Sequence, residues 1–296
     1  MHRSTPTVFL HLLLTWMLLS VPSSFAAERL LIEKPAMFGS AYVTEDGDGL
    51  RTLRFARYGA RQSVVKLGDP THLELAYARV LPLAFAFVAE PKSALVIGLG
   101  GGTIPSFLRS TSSTMKIDAV DIDPVVVDIA KSHFGFREDA GLKAHVADGR
   151  AFVEAAEHRY DFVFLDGFGQ DSVPKHLTTR EFLVAVRNIL APGGIVLGNV
   201  WGRDVNRLYD AMVRTYRDVF REIYIVDVIG SGNKIVIATP NKFSGSHREL
   251  VRRAQQAGAR LKLKNDLGDV AENQMRLPGI DGEKGEVLVD SAQANP

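Results

Sequence analysis

Residues 223–239 read IYIVDVI-GSGN-KIVIAT, two apolar, β-branched runs joined only by Gly230-Ser231-Gly232-Asn233. A crossover between parallel strands takes a dozen or more residues, so positions 223–229 and 234–239 must pair antiparallel. Upstream the pattern differs. Apolar strand runs at 94–97, 117–122, 145–146, 162–165 and 195–200 alternate with helical stretches at 104–109, 124–132, 150–157, 179–190 and 204–220. Such alternation builds a mostly parallel sheet. Prolines agree with it, since Pro105 and Pro124 fall in the first turns of two of these helices, where a missing N–H costs nothing.

A mostly parallel seven-stranded α/β sheet with one reversed strand is the Rossmann-like, S-adenosylmethionine-dependent methyltransferase fold, which the usual dinucleotide-binding fold is not. Ahead of it, short runs such as Ala41-Tyr42-Val43 and Leu53-Arg54-Phe55 flank the turn-rich Glu45-Asp46-Gly47-Asp48-Gly49, which predicts a small antiparallel unit. Leu73, Leu75, Ala76, Val80, Leu83 and Ala84 recur at helical spacing and predict one helix over 71–88. Past Pro240, a basic amphipathic helix over 246–258 gives way to a polar, Gly-rich stretch without periodicity, read as loosely ordered. The expected divisions are a signal peptide over 1–26, a small β domain over 27–70, the main domain over 71–240, and a helix with a loose tail over 241–296.

Composition narrows the function. With 46% hydrophobic and 23% charged residues, 296 residues can bury a full globular core. Net charge is +1 and the cations are dispersed, so no basic tract grips nucleic acid and a small partner is expected. The absence of cysteine excludes disulfides, thiolate-bound metal and a cysteine nucleophile. His72, His133, His145, His158 and His176 fall on different elements, so no metal site is expected. No G-x-S-x-G elbow occurs, and a serine hydrolase reading fails with it. Met1-His2-Arg3, an apolar stretch over 8–21 and Ser24-Phe25-Ala26 read as an export signal cleaved before Ala27, giving a periplasmic protein without a stable membrane span. The alternative is an uncleaved anchor.

Candidate site residues cluster at the carboxyl ends of the strands, where open α/β sheets collect ligands. Gly98-Leu99-Gly100-Gly101-Gly102-Thr103 leaves a strand and opens a helix, so backbone and N–H groups are accessible to a ligand. Close helix–sheet packing would need the same glycines. Thr103 stands where the dinucleotide pattern requires glycine, which disfavours NAD. Asp121 closes the second strand at about the twenty-residue interval at which an acid meets ribose hydroxyls, though a turn or capping role suits it too. Asp123 before Pro124 is the better helix cap. Asp148-Gly149 follows the third strand, as a ligand loop or an N-cap. Asp166 ends the fourth strand at the head of Gly167-Phe168-Gly169-Gln170-Asp171, where a carboxylate can attract an amine, orient it and accept its proton.

On these residues the chain resembles the polyamine aminopropyltransferases, the spermidine synthase family, over about 55–239, as a divergent bacterial branch. Gly59-Ala60-Arg61-Gln62-Ser63 resembles the segment whose Gln holds the cofactor's amino-acid-derived chain, which implies that role for Gln62. Gly98, Gly100, Gly101 and Gly102 match the Gly-rich loop, and Asp121-Ile122 the ribose-binding strand end, usually Glu in the family. Asp148 and Gly149 match the adenine-side pair, and Asp166 the catalytic aspartate. The resemblance implies decarboxylated S-adenosylmethionine as donor, a putrescine-like acceptor, and a homodimer. Two departures stand out. The second catalytic Asp is replaced by Gly169, with Asp171 as substitute, and Leu73 stands near the family's Tyr, with Tyr77 one turn on. Intact S-adenosylmethionine as donor, for methyl transfer, and a non-catalytic polyamine or nucleoside sensor stay open as alternatives.

Overall fold

The computed structural model describes residues 28–167 and 173–290. The signal-peptide reading, Gly169 and Asp171 lie outside them. The chain opens with β1 (Arg29–Ala36), β2 (Gly39–Glu45), β3 (Leu50–Arg54) and β4 (Ser63–Lys66), an antiparallel sheet in chain order. Asp46 makes the predicted turn by accepting hydrogen bonds from the N–H groups of Asp48 (3.0 Å) and Leu50 (2.9 Å). Ala41, Val43, Leu53 and Val65 on one face of this sheet pack against Val126, Ile129 and Phe134 of the main domain. That burial seats the β3–β4 connection, with Gln62, beside the main sheet.

The helix expected over 71–88 is shorter and broken, as α1 (Ala76–Val80), a 3-10 turn (Leu81–Leu83) and α2 (Ala84–Phe87). Pro82 has no N–H to continue an α-helical ladder, and Thr71 instead turns onto the Asp69 carboxylate.

The main domain follows as β5 (Ser93–Ile97), α3 (Thr103–Thr111), β6 (Lys116–Asp121), α4 (Pro124–His133), β7 (Leu142–Val146), α5 (Gly149–Glu154), β8 (Tyr160–Leu165), a 3-10 turn (Lys175–Leu177), α6 (Arg180–Asn188), β9 (Leu190–Trp201), α7 (Tyr209–Val219), β10 (Glu222–Asp227), β11 (Asn233–Thr239), α8 (His247–Leu261), α9 (Leu267–Asp269), a π-turn (Val270–Gln274) and β12 (Met275–Arg276). The strand order is β12-β10-β11-β9-β8-β5-β6-β7. Strands β5 to β9 pair in parallel, and β11 runs antiparallel to both β9 and β10, the second pairing being the one its five-residue joint demands. Both faces are covered. Ala94 and Val96 of β5 enter one core cluster while Leu95 and Ile97 enter the other. Order reverses at β5, between β8 and β6, which opens a crevice at the carboxyl edge.

Two expectations change. Strand β9 begins at Leu190 and takes in Pro192-Gly193-Gly194, absorbing them with a register shift opposite Tyr160 and Phe162. The tail is packed, not loose, over its described residues to 290. Leu267, Val270, Ala271 and Met275 are buried beneath α8, and β12 adds an eighth strand beside β10. Beyond it Asp281, 3% exposed, accepts from Arg203 (2.6 Å) and Tyr209 (3.2 Å) and pairs with Arg276 (2.8 Å). Gly282 and Gly285 lie so close to the α7 backbone that an added Cβ would stand 2.8 Å from Arg214 N and 2.3 Å from the Asp210 carbonyl carbon. Asp290 then clasps Arg150 with two hydrogen bonds of 2.7 and 2.6 Å. Ion pairs and glycine contacts have no period, so hydrophobic patterning does not register them. Among the described residues no helix is long and apolar enough to cross a membrane.

Candidate functional site

A cavity of about 690 Å³ occupies the crevice, within the range of small-molecule sites. Gly98, Gly100, Asp121, Ile122, Asp148, Gly149, Asp166 and Gln62 all line it. Gly101 and Gly102 do not. They are buried behind the loop, where a Cβ would meet Phe134 at 2.7 Å and Phe136 at 2.6 Å. The packing role weighed for the loop therefore holds for these two, while Gly98 (φ 98°) and Gly100 (φ 52°) shape the ligand-facing side. A Cβ on Gly98 would sit 2.3 Å from the Asp166 carbonyl oxygen, so this glycine lets two strand ends meet.

Asp121 reaches back to the loop. Its Oδ2 accepts from the N–H groups of Leu99 (3.0 Å) and Gly100 (3.3 Å), and its Oδ1 from that of Asp123 (3.1 Å). Three of about four lone-pair positions are filled, leaving one acceptor direction. Burial pushes its carboxyl above the ordinary value despite these bonds. Asp123 caps α4 by accepting from Val125 N (2.8 Å), and its other oxygen takes Met37 N (2.6 Å). Asp148 caps α5 through Ala151 N (2.9 Å) and accepts from His176 Nε2 (2.7 Å). Burial works against its charge, but these donors outweigh it and hold the carboxyl below its usual value. Gly149 is required because a Cβ would stand 2.6 Å from Ile97. Beside Gln62, Arg61 pairs with Glu74 (3.7 Å), which also faces Arg79 (3.5 Å) and His72 (3.1 Å).

The far side of the cavity centres on Asp166. Its Oδ2 accepts from the Tyr77 hydroxyl (2.9 Å) and its Oδ1 from Asn199 Nδ2 (2.7 Å). Desolvation raises its carboxyl from 3.8 to about 6, and the two neutral donors restrain the rise. The same burial, with Asp166 beside it, pushes the Tyr77 phenol well above 10. Asn199 accepts in turn from Asn233 Nδ2 (2.9 Å), and Ser231 Oγ donates to Asn233 Oδ1. Sequence reading noted Tyr77 without giving it a role, and it missed Asn199, Asn233 and His176. Asn199 did leave a signal, as the lone amide inside the apolar run of β9. His176 and Asn233 left none, since their partners lie 28 and 34 residues away. Among the described residues no group of three or more His, Asp or Glu side chains is placed to hold a metal.

Residues 75–217 match the spermine/spermidine synthase domain family. A polyamine aminopropyltransferase of Vibrio vulnificus is 33% identical over 240 residues, covering 79% of this chain and 79% of that one. The mouse eEF1A lysine and N-terminal methyltransferase is 31% identical over 211 residues, 68% of this chain but 28% of that longer protein. A probable spermidine synthase from Corynebacterium glutamicum shares the fold, with a TM-score of 0.73 over 90% of this chain and 98% of that chain at 18% identity. Human methyltransferase-like protein 13, solved with SAH, gives a TM-score of 0.55 at 28% identity, over 64% of this chain and 90% of that chain. Identity at the level of the Vibrio vulnificus enzyme, over that much of both chains, goes beyond a common fold, and the chain belongs to the spermine/spermidine synthase family.

Proposed function

We propose that this transferase moves an aminopropyl group from decarboxylated S-adenosylmethionine to a small amine. The observation that carries the reading is the Asp166 carboxylate, set against the glycine loop and held, among the described residues, by the uncharged Tyr77 and Asn199, with burial pushing its pKa up to about 6. The donor's adenosine lies along Gly98, Gly100, Asp121, Ile122, Asp148 and Gly149, with Gln62 at its alkyl end. At neutral pH Asp166 is ionised, attracts the ammonium and takes its proton. The freed nitrogen lone pair forms the C–N bond as the C–S bond breaks, and the bonding pair leaves on sulfur in neutral methylthioadenosine. A sulfonium is already an activated electrophile, so the protein contributes chiefly by alignment.

Calorimetry with decarboxylated S-adenosylmethionine, intact S-adenosylmethionine and methylthioadenosine, followed by mass spectrometry of amine mixtures, tests this. An aminopropylated amine and methylthioadenosine are expected. Methylated amine from the intact donor alone, or binding without any product, would overturn it. Export belongs to the same proposal and predicts a periplasmic chain beginning at Ala27, read by fractionation and mass. A homodimer, read by light scattering, is proposed with it.

A further inference from the structure

We infer that His176 is a positioning residue for the donor's nucleobase: it fixes the plane of the Asp148 carboxylate, and the strap of residues 277–290 holds it there through Asp290 and Arg150. This rests on the donor nucleoside lying along Asp148 and Gly149, as proposed above. Asp148 and His176 both line the cavity, with Gly149, Pro174 and Leu177 beside them. Asp148 Oδ1 accepts from Ala151 N at 2.9 Å, and its Oδ2 from His176 Nε2 at 2.7 Å. A bond to one oxygen leaves a carboxylate free to turn about its Cβ–Cγ axis, whereas a bond to each oxygen sets its plane. An ionised carboxylate only accepts, so His176 Nε2 carries the proton. The lone pairs left on Asp148 then keep fixed directions. A purine's exocyclic amine can donate to them, while a carbonyl oxygen in the same place meets a like charge.

No local spacing brings His176 to Asp148, 28 residues away, and the strap supplies the link. Arg150, two residues past Asp148, reaches the His176 carbonyl at 3.5 Å. Its guanidinium is held by Glu154 (2.7 Å) and by both oxygens of Asp290 (2.7 and 2.6 Å). Exposed ion pairs taken singly contribute little, but a guanidinium that meets a carboxylate through two bonds has its orientation set. The strap's backbone is tied to the same region. Leu288 O accepts from the N–H of Arg180 (2.7 Å), which opens α6 just after the turn that carries His176, and Asp290 N donates to Glu181 Oε2 (2.9 Å). Leu288 N donates to Thr215 Oγ1 on α7 (2.9 Å). The strap thus braces the turn from α5, α6 and α7 together.

The test measures binding of methylthioadenosine and of methylthioinosine, which carries a carbonyl in place of the amine, by calorimetry on the purified protein. The unaltered protein is expected to favour methylthioadenosine by about 100-fold. His176→Ala should raise the methylthioadenosine Kd about tenfold and leave methylthioinosine nearly unchanged, so the preference falls about tenfold. His176→Gln, whose amide can donate to the same oxygen, should restore most of it. Asp290→Ala is expected to lower the preference about threefold in the same direction, and to add nothing in the His176→Ala background, because both act through one bond. Asp290→Ala also gives the reading if His176→Ala does not fold. A preference that does not respond to either variant, or an equal loss for both nucleosides, overturns the inference and leaves the donor reading standing. Full additivity in the double variant overturns the part given to the strap. If the unaltered protein binds neither nucleoside, the donor reading falls and this inference with it.

Discussion

In the half of the cavity proposed for the nucleoside Asp121, Asp123 and Asp148 are each gripped by backbone N–H groups, whereas in the half proposed for the acceptor Asp166 is gripped by side chains from α1 and β9. Backbone donors are supplied by any sequence that keeps the turn, so the first half is a rigid cradle. Side-chain donors can be exchanged one at a time. Tyr77 and Asn199 restrain the rise in the Asp166 carboxyl's pKa, so the second half depends on particular residues.

The sharpest way to break this contrast is Asp166→Asn. It is expected to lower kcat/KM by about 10³-fold while calorimetry finds donor affinity nearly unchanged; a comparable loss of donor binding would erase the division into halves. In the unaltered enzyme, protonation of Asp166 as pH falls below about 6 should reduce the rate about tenfold per unit, because the neutral acid neither attracts an ammonium nor takes its proton.

Gly98→Ala strikes the junction of the halves. It combines a φ of 98° with a 2.3 Å approach to the Asp166 carbonyl, and denaturant unfolding should show roughly 3 kcal/mol of lost stability. Next comes Asp121→Asn, which replaces an acceptor of loop N–H groups. A donor Kd raised about tenfold with an unchanged kcat at saturating donor would keep its effect within the cradle.

Two smaller effects refine the acceptor half. The folded pKa of Asp166 lies above the ordinary aspartate value of 3.8, so the folded protein binds an extra proton between about 4 and 6 and loses stability as pH rises through that window. Asp166→Asn removes this slope and should stabilise the ligand-free protein at pH 8 by on the order of 1 kcal/mol, allowing for solvent at the cavity mouth. Tyr77→Phe deletes one neutral donor. The acid limb of the rate profile should move above about 6, with a loss of about threefold at pH 6 and little change at pH 8. An unmoved limb would show that Tyr77 does not tune Asp166.

Much of the cradle was legible because its parts follow short-range rules. A glycine turn after β5, an acid closing β6 and an Asp-Gly pair after β7 are each anchored to a strand end that periodicity locates. The same rules do not show that Gly101 and Gly102 pack against Phe134 and Phe136, since that contact depends on where α4 ends in space. The order of the tail was hidden for a related reason. Asp281 is an unremarkable acid in sequence and a buried ion-pair partner only once Arg203 and Arg276 converge on it.

Chain connectivity alone therefore determined the sheet apart from its edge strand β12, because alternating periods and a short joint leave few ways to pair strands. The same local spacing placed Asp166 at a strand end, but the company it keeps was decided by tertiary structure. Tyr77, Asn199 and Asn233 reach one another across α1, β9 and β11, and their meeting depends on strand order, register and a broken helix, geometric relations that distance along the chain does not encode.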